Sequence, residues 1–140
     1  MTRRELVMFL RRYKLAVQAT VAGSGGPQAA VVGFAVSDEL EIVFDTVTTS
    51  RKIANLRRDP RCALVIGWDD EITAQIEGTA DEPTGDERTR LQQVYFAAYP
   101  DGVARASWPN VTYVRVRPQW IRYCDFRKPE TIELAARELV

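Results

Sequence analysis

Residues 42–61, with the sequence IVFDTVTTSRKIANLRRDPR, contain the pattern that decides the fold. The β-branched and aromatic residues at its start predict a strand over about 40–45. The residues that follow predict a short helix over about 50–57. Pro60 ends that helix, since proline cannot continue a helix and also restricts the residue before it. The stretch therefore predicts a strand that leads the chain directly into a short helix.

The start of this helix carries the residues with the clearest binding chemistry. Thr48 and Thr49 are predicted as N-caps, because their hydroxyl groups can accept hydrogen bonds from the first helical N–H groups. Arg51 can hold a phosphate through two parallel hydrogen bonds, and Lys52 adds a second positive charge. The unpaired N–H groups and the dipole of a helix N-terminus also favour an anion there. The residues alone fit either a phosphate site or a capped, solvated helix start, and they leave both open.

The rest of the chain is dominated by short strand patterns. Hairpin-sized links join most of them, which favours antiparallel pairing, and the glycines at 23–26 supply the first turn. Pro118 interrupts the last pattern, so that 119–123 is an edge strand or a continuation after a bulge. The prediction is a mainly β fold with peripheral helices, in the form of a small six-stranded antiparallel barrel. The strands are expected at about 15–22, 28–36, 40–45, 62–68, 72–80 and 111–123.

Helices are predicted at three further places. A capping box at residues 2–5 starts a helix over about 3–12, and a second capping box at 84–87 starts another. Pro129 suits the first turn of a last helix that extends to about residue 139.

The composition excludes several classes of function. Lys and Arg together number 19, as do Asp and Glu, so no net field recruits nucleic acid or an anionic membrane. The chain has no histidine, which rules out histidine triads, and two cysteines cannot build a structural zinc site. No apolar run approaches the ~20 residues that span a bilayer, and the N-terminus lacks a signal-peptide pattern. We expect a single domain over 1–140, located in the cytoplasm.

The order of these features resembles the FMN-binding split barrels related to pyridoxamine 5′-phosphate oxidase. The most specific part is a strand, Phe-x-Thr-x-x-x-Ser-Arg-Lys, a short helix, Asp-Pro-Arg and an apolar strand. The likeness covers roughly residues 5–125 and includes three flanking segments. These segments are Gly26-Pro27-Gln28, Gln75 to Ala80, and Pro118 to Arg122. The resemblance implies a homodimeric split β-barrel with FMN (flavin mononucleotide) held at the dimer interface.

The resemblance also implies which residues would contact the cofactor. The hydroxyls and cations of 46–52 would hold the FMN phosphate and ribityl chain. The backbone of 31–33 would lie along the isoalloxazine ring, and positions on the last strands would also reach the flavin. The cofactor-binding residues expected on this basis are Val31, Val32, Gly33, Asp45, Thr46, Ser50, Arg51, Lys52, Gln75, Trp120 and Arg122.

The sequence departs from true pyridoxamine 5′-phosphate oxidases at positions where that resemblance implies basic residues. Ala30 and Ala35 stand at two of them, and Arg122-Tyr123-Cys124 stands where an Arg-x-His is implied. Oxidation of pyridoxamine is therefore not expected. The leading hypothesis is a flavin-dependent oxidoreductase of unknown substrate, in which the flavin supplies the redox chemistry. The alternatives are a flavin carrier or sensor without turnover, a reductase that uses the deazaflavin F420, and a barrel without a cofactor.

Overall fold

The computed structural model describes residues 1–139, which form eight strands, four α-helices and a 3-10 helix at Ala136–Glu138. The strands are β1 (Leu15–Val21), β2 (Pro27–Gly33), β3 (Ala35–Val36), β4 (Ile42–Val47), β5 (Arg61–Ile66), β6 (Ile72–Asp81), β7 (Val111–Asp125) and β8 (Glu130–Ala135). The helices are α1 (Arg3–Leu10), α2 (Arg51–Arg58), α3 (Gly85–Ala98) and α4 (Gly102–Arg105). None of these four helices has the length and apolar content that a membrane crossing requires.

The strands form one antiparallel sheet in the order β2-β1-β5-β6-β7-β4-β3, with β8 paired to β7. The two ends of this order, β2 and β3, are separated in the chain only by Phe34, so the sheet curls back towards its own start. A mainly β, antiparallel fold of split-barrel character is therefore confirmed. The predicted number of six strands is wrong, because the second predicted strand breaks at Phe34 and a further strand forms near the C-terminus.

A β-bulge interrupts the pairing of the two longest strands. Glu77 on β6 pairs with Trp120 on β7, but the next residue, Gly78, pairs with Pro118. Gln119 is therefore an extra residue on β7. Of the two interpretations of this segment, a continuation after a bulge is confirmed.

The bulge switches the side-chain alternation of β7. Val116 lies in the core before the bulge and Ile121 lies in the core after it, an odd number of residues later. A Cβ added to Gly78 would overlap the carbonyl oxygen of Arg117, so the close approach of the two strands requires glycine at this position. The bend lets one strand contribute to two parts of the curled sheet.

The C-terminal segment forms a strand where the sequence predicts a helix. β8 pairs with residues 120–125 of β7, so the predicted helix from Pro129 to about residue 139 is wrong. β4 covers only residues 111–116 on this edge of β7, and without β8 the remaining N–H and C=O groups would lack strand partners. This pairing outweighs the helix propensity of the Glu, Leu and Ala residues in the segment.

The two predicted capping boxes have different outcomes. In α1, Thr2 N donates to Glu5 Oε2 at 2.7 Å and Glu5 N donates to Thr2 Oγ1 at 3.1 Å, which confirms the first. Thr84 makes no side-chain hydrogen bond to the start of α3, so the second is not formed. Glu87 instead accepts a hydrogen bond from Arg115 at 2.7 Å, since its carboxylate is drawn to a charged partner on β7.

A cluster of charged residues fastens α3 to the sheet. Arg115 is only 5% exposed, and it donates to Asp81 on β6 at 2.6 Å and to Glu41, just before β4, at 3.2 Å. Arg90 on α3 donates to Glu41 at 2.8 Å from the other side. Arg115 and Glu41 are both buried, so loss of either one leaves the other with fewer compensating charges, although each keeps further partners.

The carboxylates of this cluster have lowered pKa values. Burial by itself raises the pKa of Glu41, but hydrogen bonds from Arg90 and Ser37 lower it by more. The hydrogen bond from Arg115 lowers the pKa of Asp81, and that from Arg90 lowers the pKa of Glu87 to about 2. Such groups stabilise the fold above their ordinary pKa values, and the stabilisation is lost as pH falls through the lowered values.

Substitution of Arg115 should destabilise the fold in a pH-dependent way. We expect Arg115→Met to lower the free energy of unfolding near neutral pH by about 2 kcal/mol, because Glu41, Asp81 and Glu87 each lose a charge-assisted hydrogen bond although each keeps another arginine partner. At about pH 2 the difference from the parent should shrink, since the carboxylates then become protonated. Urea denaturation followed by circular dichroism measures both values.

Arg117→Met is the matched control for that experiment. Arg117 is exposed and its contact with Asp81 is 3.4 Å long, so its loss should cost at most about 0.5 kcal/mol. Equal losses for the two variants near neutral pH would contradict the role given to the buried cluster.

Candidate anion site at the start of α2

A hydrogen-bonded turn connects β4 to α2. Ser50 N donates to Val47 O at 3.0 Å, and Thr46 Oγ1 donates to Ser50 Oγ at 3.3 Å. Ser50 is the N-cap of α2, and its Oγ accepts a hydrogen bond from Ile53 N at 3.4 Å. The prediction that Thr48 and Thr49 are the N-caps is therefore wrong, because the turn places Ser50 at that position. Thr46 and Ser50, both expected at the site, are brought together.

Two cations follow this cap. Arg51 is exposed and Lys52 is half-buried, and they are the first two residues of α2. Among residues 1–139, neither has a carboxylate partner within 4.0 Å, whereas Arg57, near the other end of the helix, pairs with Glu82 at 2.7 Å. The positive charge at the start of α2 is therefore not neutralised by the described chain.

A chain of polar side chains connects this end of α2 to the first two strands. Asn55 is 5% exposed, and its Nδ2 donates to Thr20 Oγ1 at 3.0 Å and to Gln28 Oε1 at 2.5 Å. Arg58 Nη2 donates to Asn55 Oδ1 at 3.2 Å. The other end of the Gln28 amide lies against the guanidinium of Arg51. The start of β2 and the start of α2 therefore meet at Gln28 and Arg51.

The residues expected beside the flavin ring lie further along β2. Val31 is 61% exposed on the outer face of the sheet, whereas Val32 faces the core. Gly33 ends β2, and a Cβ there would lie 2.8 Å from the Tyr99 hydroxyl, which packs on it. Since a strand rises by roughly 3.3 Å per residue, Gly33 lies roughly 16 Å from Gln28 along β2.

Asp45 precedes Thr46 in the sequence, but its side chain makes its hydrogen bonds elsewhere. Its carboxylate accepts hydrogen bonds from Tyr95 Oη at 3.0 Å and from Arg105 Nε at 3.2 Å. Burial, followed by the negative charge of Asp45, raises the pKa of Tyr95, which remains a proton donor. Asp45 connects β4 to α3 and α4, and its hydrogen bonds are not shared with Thr46.

The other three expected residues are on a distant part of the outer face. Gln75 on β6 pairs with Arg122 on β7, and the register connects Gln75 through Val65 and Val17 to Val31. Strands are spaced by about 4.8 Å, so Gln75 lies about 14 Å from Val31 along the curled sheet. Trp120 lies beside this row, paired with Glu77 and with Ala135 of β8. Within one protomer, these residues are not brought to the start of α2.

The sequence interpretation missed two residues at or near the site. Gln28 and Asn55 form the polar connection between β2 and α2. The strand alternation was the available signal for Gln28, because it shares a face of β2 with Ala30 and Val32. For Asn55, the signal was an amide side chain between two apolar helix positions, Ile53 and Leu56.

The sequence matches a known protein family and several of its characterised members. A family model described as pyridoxamine 5′-phosphate oxidase matches residues 2–125. The chain belongs to the pyridoxamine 5′-phosphate oxidase-like family. It is similar to the pyridoxine/pyridoxamine 5′-phosphate oxidase of Burkholderia vietnamiensis, with 35% identity over 93 residues, or 66% of this chain and 42% of the relative. The chain thus spans less than half the length of this relative and of others like it.

Solved structures of other proteins support the same fold. A heme binding protein from Mycobacterium smegmatis superposes with a TM-score of 0.85 at 17% identity, covering 98% of this chain and 59% of that one. General Stress Protein 26 from Bacillus anthracis superposes with a TM-score of 0.74 at 22% identity, covering 96% of this chain and all (100%) of that one. At these identities, the likeness shows the architecture and not the ligand.

The N-cap of α2 can be tested by mutation. Ser50→Ala should lower the free energy of unfolding by about 1 kcal/mol, because it removes the acceptor for Ile53 N. Thr49→Ala is the control and should change it by less than about 0.5 kcal/mol, since Thr49 is exposed beside the cap. Thermal denaturation of both variants measures the effects. A larger loss for Thr49→Ala would contradict the cap assignment.

Proposed function

We propose that this protein binds FMN as a homodimer and acts as a flavin-dependent oxidoreductase. The observation that carries the proposal is the start of α2, where Ser50, Arg51 and Lys52 present a hydroxyl and two cations without a carboxylate partner among residues 1–139. A phosphate group fits this chemistry, because it accepts hydrogen bonds from guanidinium, ammonium and hydroxyl groups and is stabilised at a helix N-terminus.

The length and the outer face of β2, which leads away from this site, also suit FMN. From Gln28 and Arg51, β2 leads over roughly 16 Å to Gly33, and its outer face offers Val31 as an apolar surface for an isoalloxazine ring. The chain's contribution would be to bind and orient FMN, and the flavin itself supplies hydride or electron transfer. The absence of histidine is compatible with flavin chemistry, since hydride or electron transfer by the flavin requires no protein nucleophile.

The outer face of the sheet supports the homodimer. Val31, Val17 and Val65 form an apolar row across β2, β1 and β5, with Val31 61% and Val65 37% exposed. A second copy of the chain on this face would bury the row against an identical surface. In such a dimer, Gln75 and Arg122 of the partner could approach the ring site, which they do not reach within one protomer.

Other ligands and roles are distinguished by simple observations. A carrier or sensor would bind FMN without steady-state oxidation of NAD(P)H, which an oxidoreductase would support. F420 has a longer anionic tail and would show tighter binding than FMN in competition. The similar M. smegmatis protein is described as heme binding. This chain has no histidine, so a heme iron here would need another axial ligand, such as Tyr, Cys or Met.

The first test is retention of flavin. Purified protein incubated with FMN and desalted should keep the visible flavin bands at a stoichiometric level. Arg51→Ala combined with Lys52→Ala should weaken FMN binding by about one to two decades, because charge-assisted contacts to the phosphate are lost. Arg3→Ala combined with Arg4→Ala, on the exposed face of α1, is the control and should leave the affinity unchanged. Equal binding by both double variants would contradict the assignment of the phosphate site.

The dimer can be tested in protein that carries no flavin, because Val31 belongs both to the apolar row and to the proposed surface for the ring. Val31→Glu should convert the protein to a monomer in size-exclusion chromatography with light scattering, because it places a charge in an apolar interface. Val103→Glu is the control, since Val103 is similarly exposed (56%) but lies on α4. A parent protein that is monomeric at micromolar concentration would contradict the proposed dimer.

A further inference from the structure

A groove with a volume of about 730 Å³ lies between α3 and the segment that follows α1. The buried residues Phe34, Ala35 and Val36 lie beneath it, and one face of α3 lines its side. Sites for small molecules commonly have volumes of about 300–1,000 Å³. The groove therefore has the size of a small-molecule site, and it contains neither the start of α2 nor any residue of β2.

The wall of the groove on α3 is apolar. Val94, Ala97 and Ala98 line it at helical spacing, beside the face of α3 that buries Leu91 and Tyr95 against the sheet. Ala97 is exposed, and Val94 and Ala98 are half-buried. Because alanine side chains are single methyl groups, they do not fill the space next to the helix. This wall offers a surface for the apolar body of a ligand.

Two cations line the opposite side of the groove and are anchored there. Arg11 Nε and Nη2 donate to Val36 O at 3.2 and 2.9 Å, which holds the guanidinium against β3. Lys14 Nζ donates to Ala98 O at 2.7 Å, and an ammonium group has two further donors to offer. Cations held in this way lose little freedom when they bind an anion.

The charges differ between the two ends of the groove. Arg90 and Ala98 are separated by roughly 12 Å along α3. Arg90 lies within 4.0 Å of three carboxylates, those of Glu39, Glu41 and Glu87. Over residues 1–139, no carboxylate lies within 4.0 Å of Lys14, and Asp101, which interacts with Lys14 at longer range, is paired with Arg105 at 2.8 Å. The end of the groove at Lys14 is therefore the positive one.

An organic acid fits both features of this groove. Arg11 keeps one carboxylate partner, Asp38 at 2.9 Å, so Lys14 supplies the charge that is not neutralised. We infer that the groove binds a small organic acid with an apolar body, whose acid group contacts Lys14 and whose body packs on Val94 and Ala97. An acid group gains charge-assisted hydrogen bonds from the ammonium, and the apolar body covers surface that is otherwise in contact with water. This site is separate from the proposed flavin site.

Two fluorescent probes test the inference in flavin-free protein. Anilinonaphthalene sulfonate has an apolar body with an acid group, and phenylnaphthylamine has the same rings without the acid. Fluorescence titration should show saturable binding of the sulfonate to the folded parent protein. Lys14→Met should weaken the sulfonate by about tenfold and leave phenylnaphthylamine unchanged, because it removes the charge and not the apolar wall. Lys14→Arg should keep the affinity of the parent for the sulfonate.

A second substitution tests the position of the apolar body. Ala97→Trp should abolish binding of both probes, because the indole fills the groove beside α3. Ala104→Trp, at an exposed position of α4, is the matched control and should change neither affinity. Arg12→Met is the control for charge, since Arg12 is exposed, is paired with Asp70 and does not line the groove.

The outcomes are distinct from those that test the flavin proposal. Unchanged sulfonate binding in Ala97→Trp would overturn the inference, because the probe would then bind another surface. Equal loss of both probes in Lys14→Met, or no binding of the sulfonate by the parent, would overturn it as well. Circular dichroism verifies that each variant is folded, and the two Lys14 variants provide a test that does not depend on Ala97→Trp.

Discussion

The pairing of β6 with β7, with the bulge at Gln119, is the constraint on which the rest of the structure depends. β7 is 15 residues long, and it joins β6 on one edge while β4 and β8 share the other edge in succession. The bulge reverses the inward-facing positions midway, so the same strand lines the core next to β4 and again next to β8. The close approach at Gly78 is the local requirement for this bend. Through its pairing with β4, the same strand also holds the segment that leads into α2.

Much of the fold could be predicted from local patterns, and the exceptions have identifiable causes. The capping box of α1 and the turn between β1 and β2 depend on residues close in sequence, and both form as predicted. The break at Phe34 and the strand β8 depend on distant partners, because β3 pairs with β4 and β8 completes the edge of β7. A local pattern with Pro129 followed by helix formers could not reveal that an unpaired strand edge lay nearby.

The candidate site likewise combines residues that are close in sequence with residues that only the fold brings together. The cluster of Thr46, Ser50, Arg51 and Lys52 is contained in one short stretch, and the resemblance carried by that stretch was enough to name these four residues as candidates. The contact of Gln28 with Asn55 joins residues far apart in sequence, so the local motif could not place Gln28 beside this stretch. The placement of Asp45 against Tyr95 and Arg105 likewise follows from the packing of α3 on β4.

A crystal structure of the protein grown with FMN tests the central claim most directly. The account predicts electron density for the phosphate at the start of α2, within hydrogen-bond distance of Ser50 and Arg51, with the isoalloxazine ring along β2. Density for FMN in the groove between β3, α3 and the segment after α1, where Arg11 and Lys14 lie, would contradict the account. A structure in which the phosphate points away from α2 would contradict it equally.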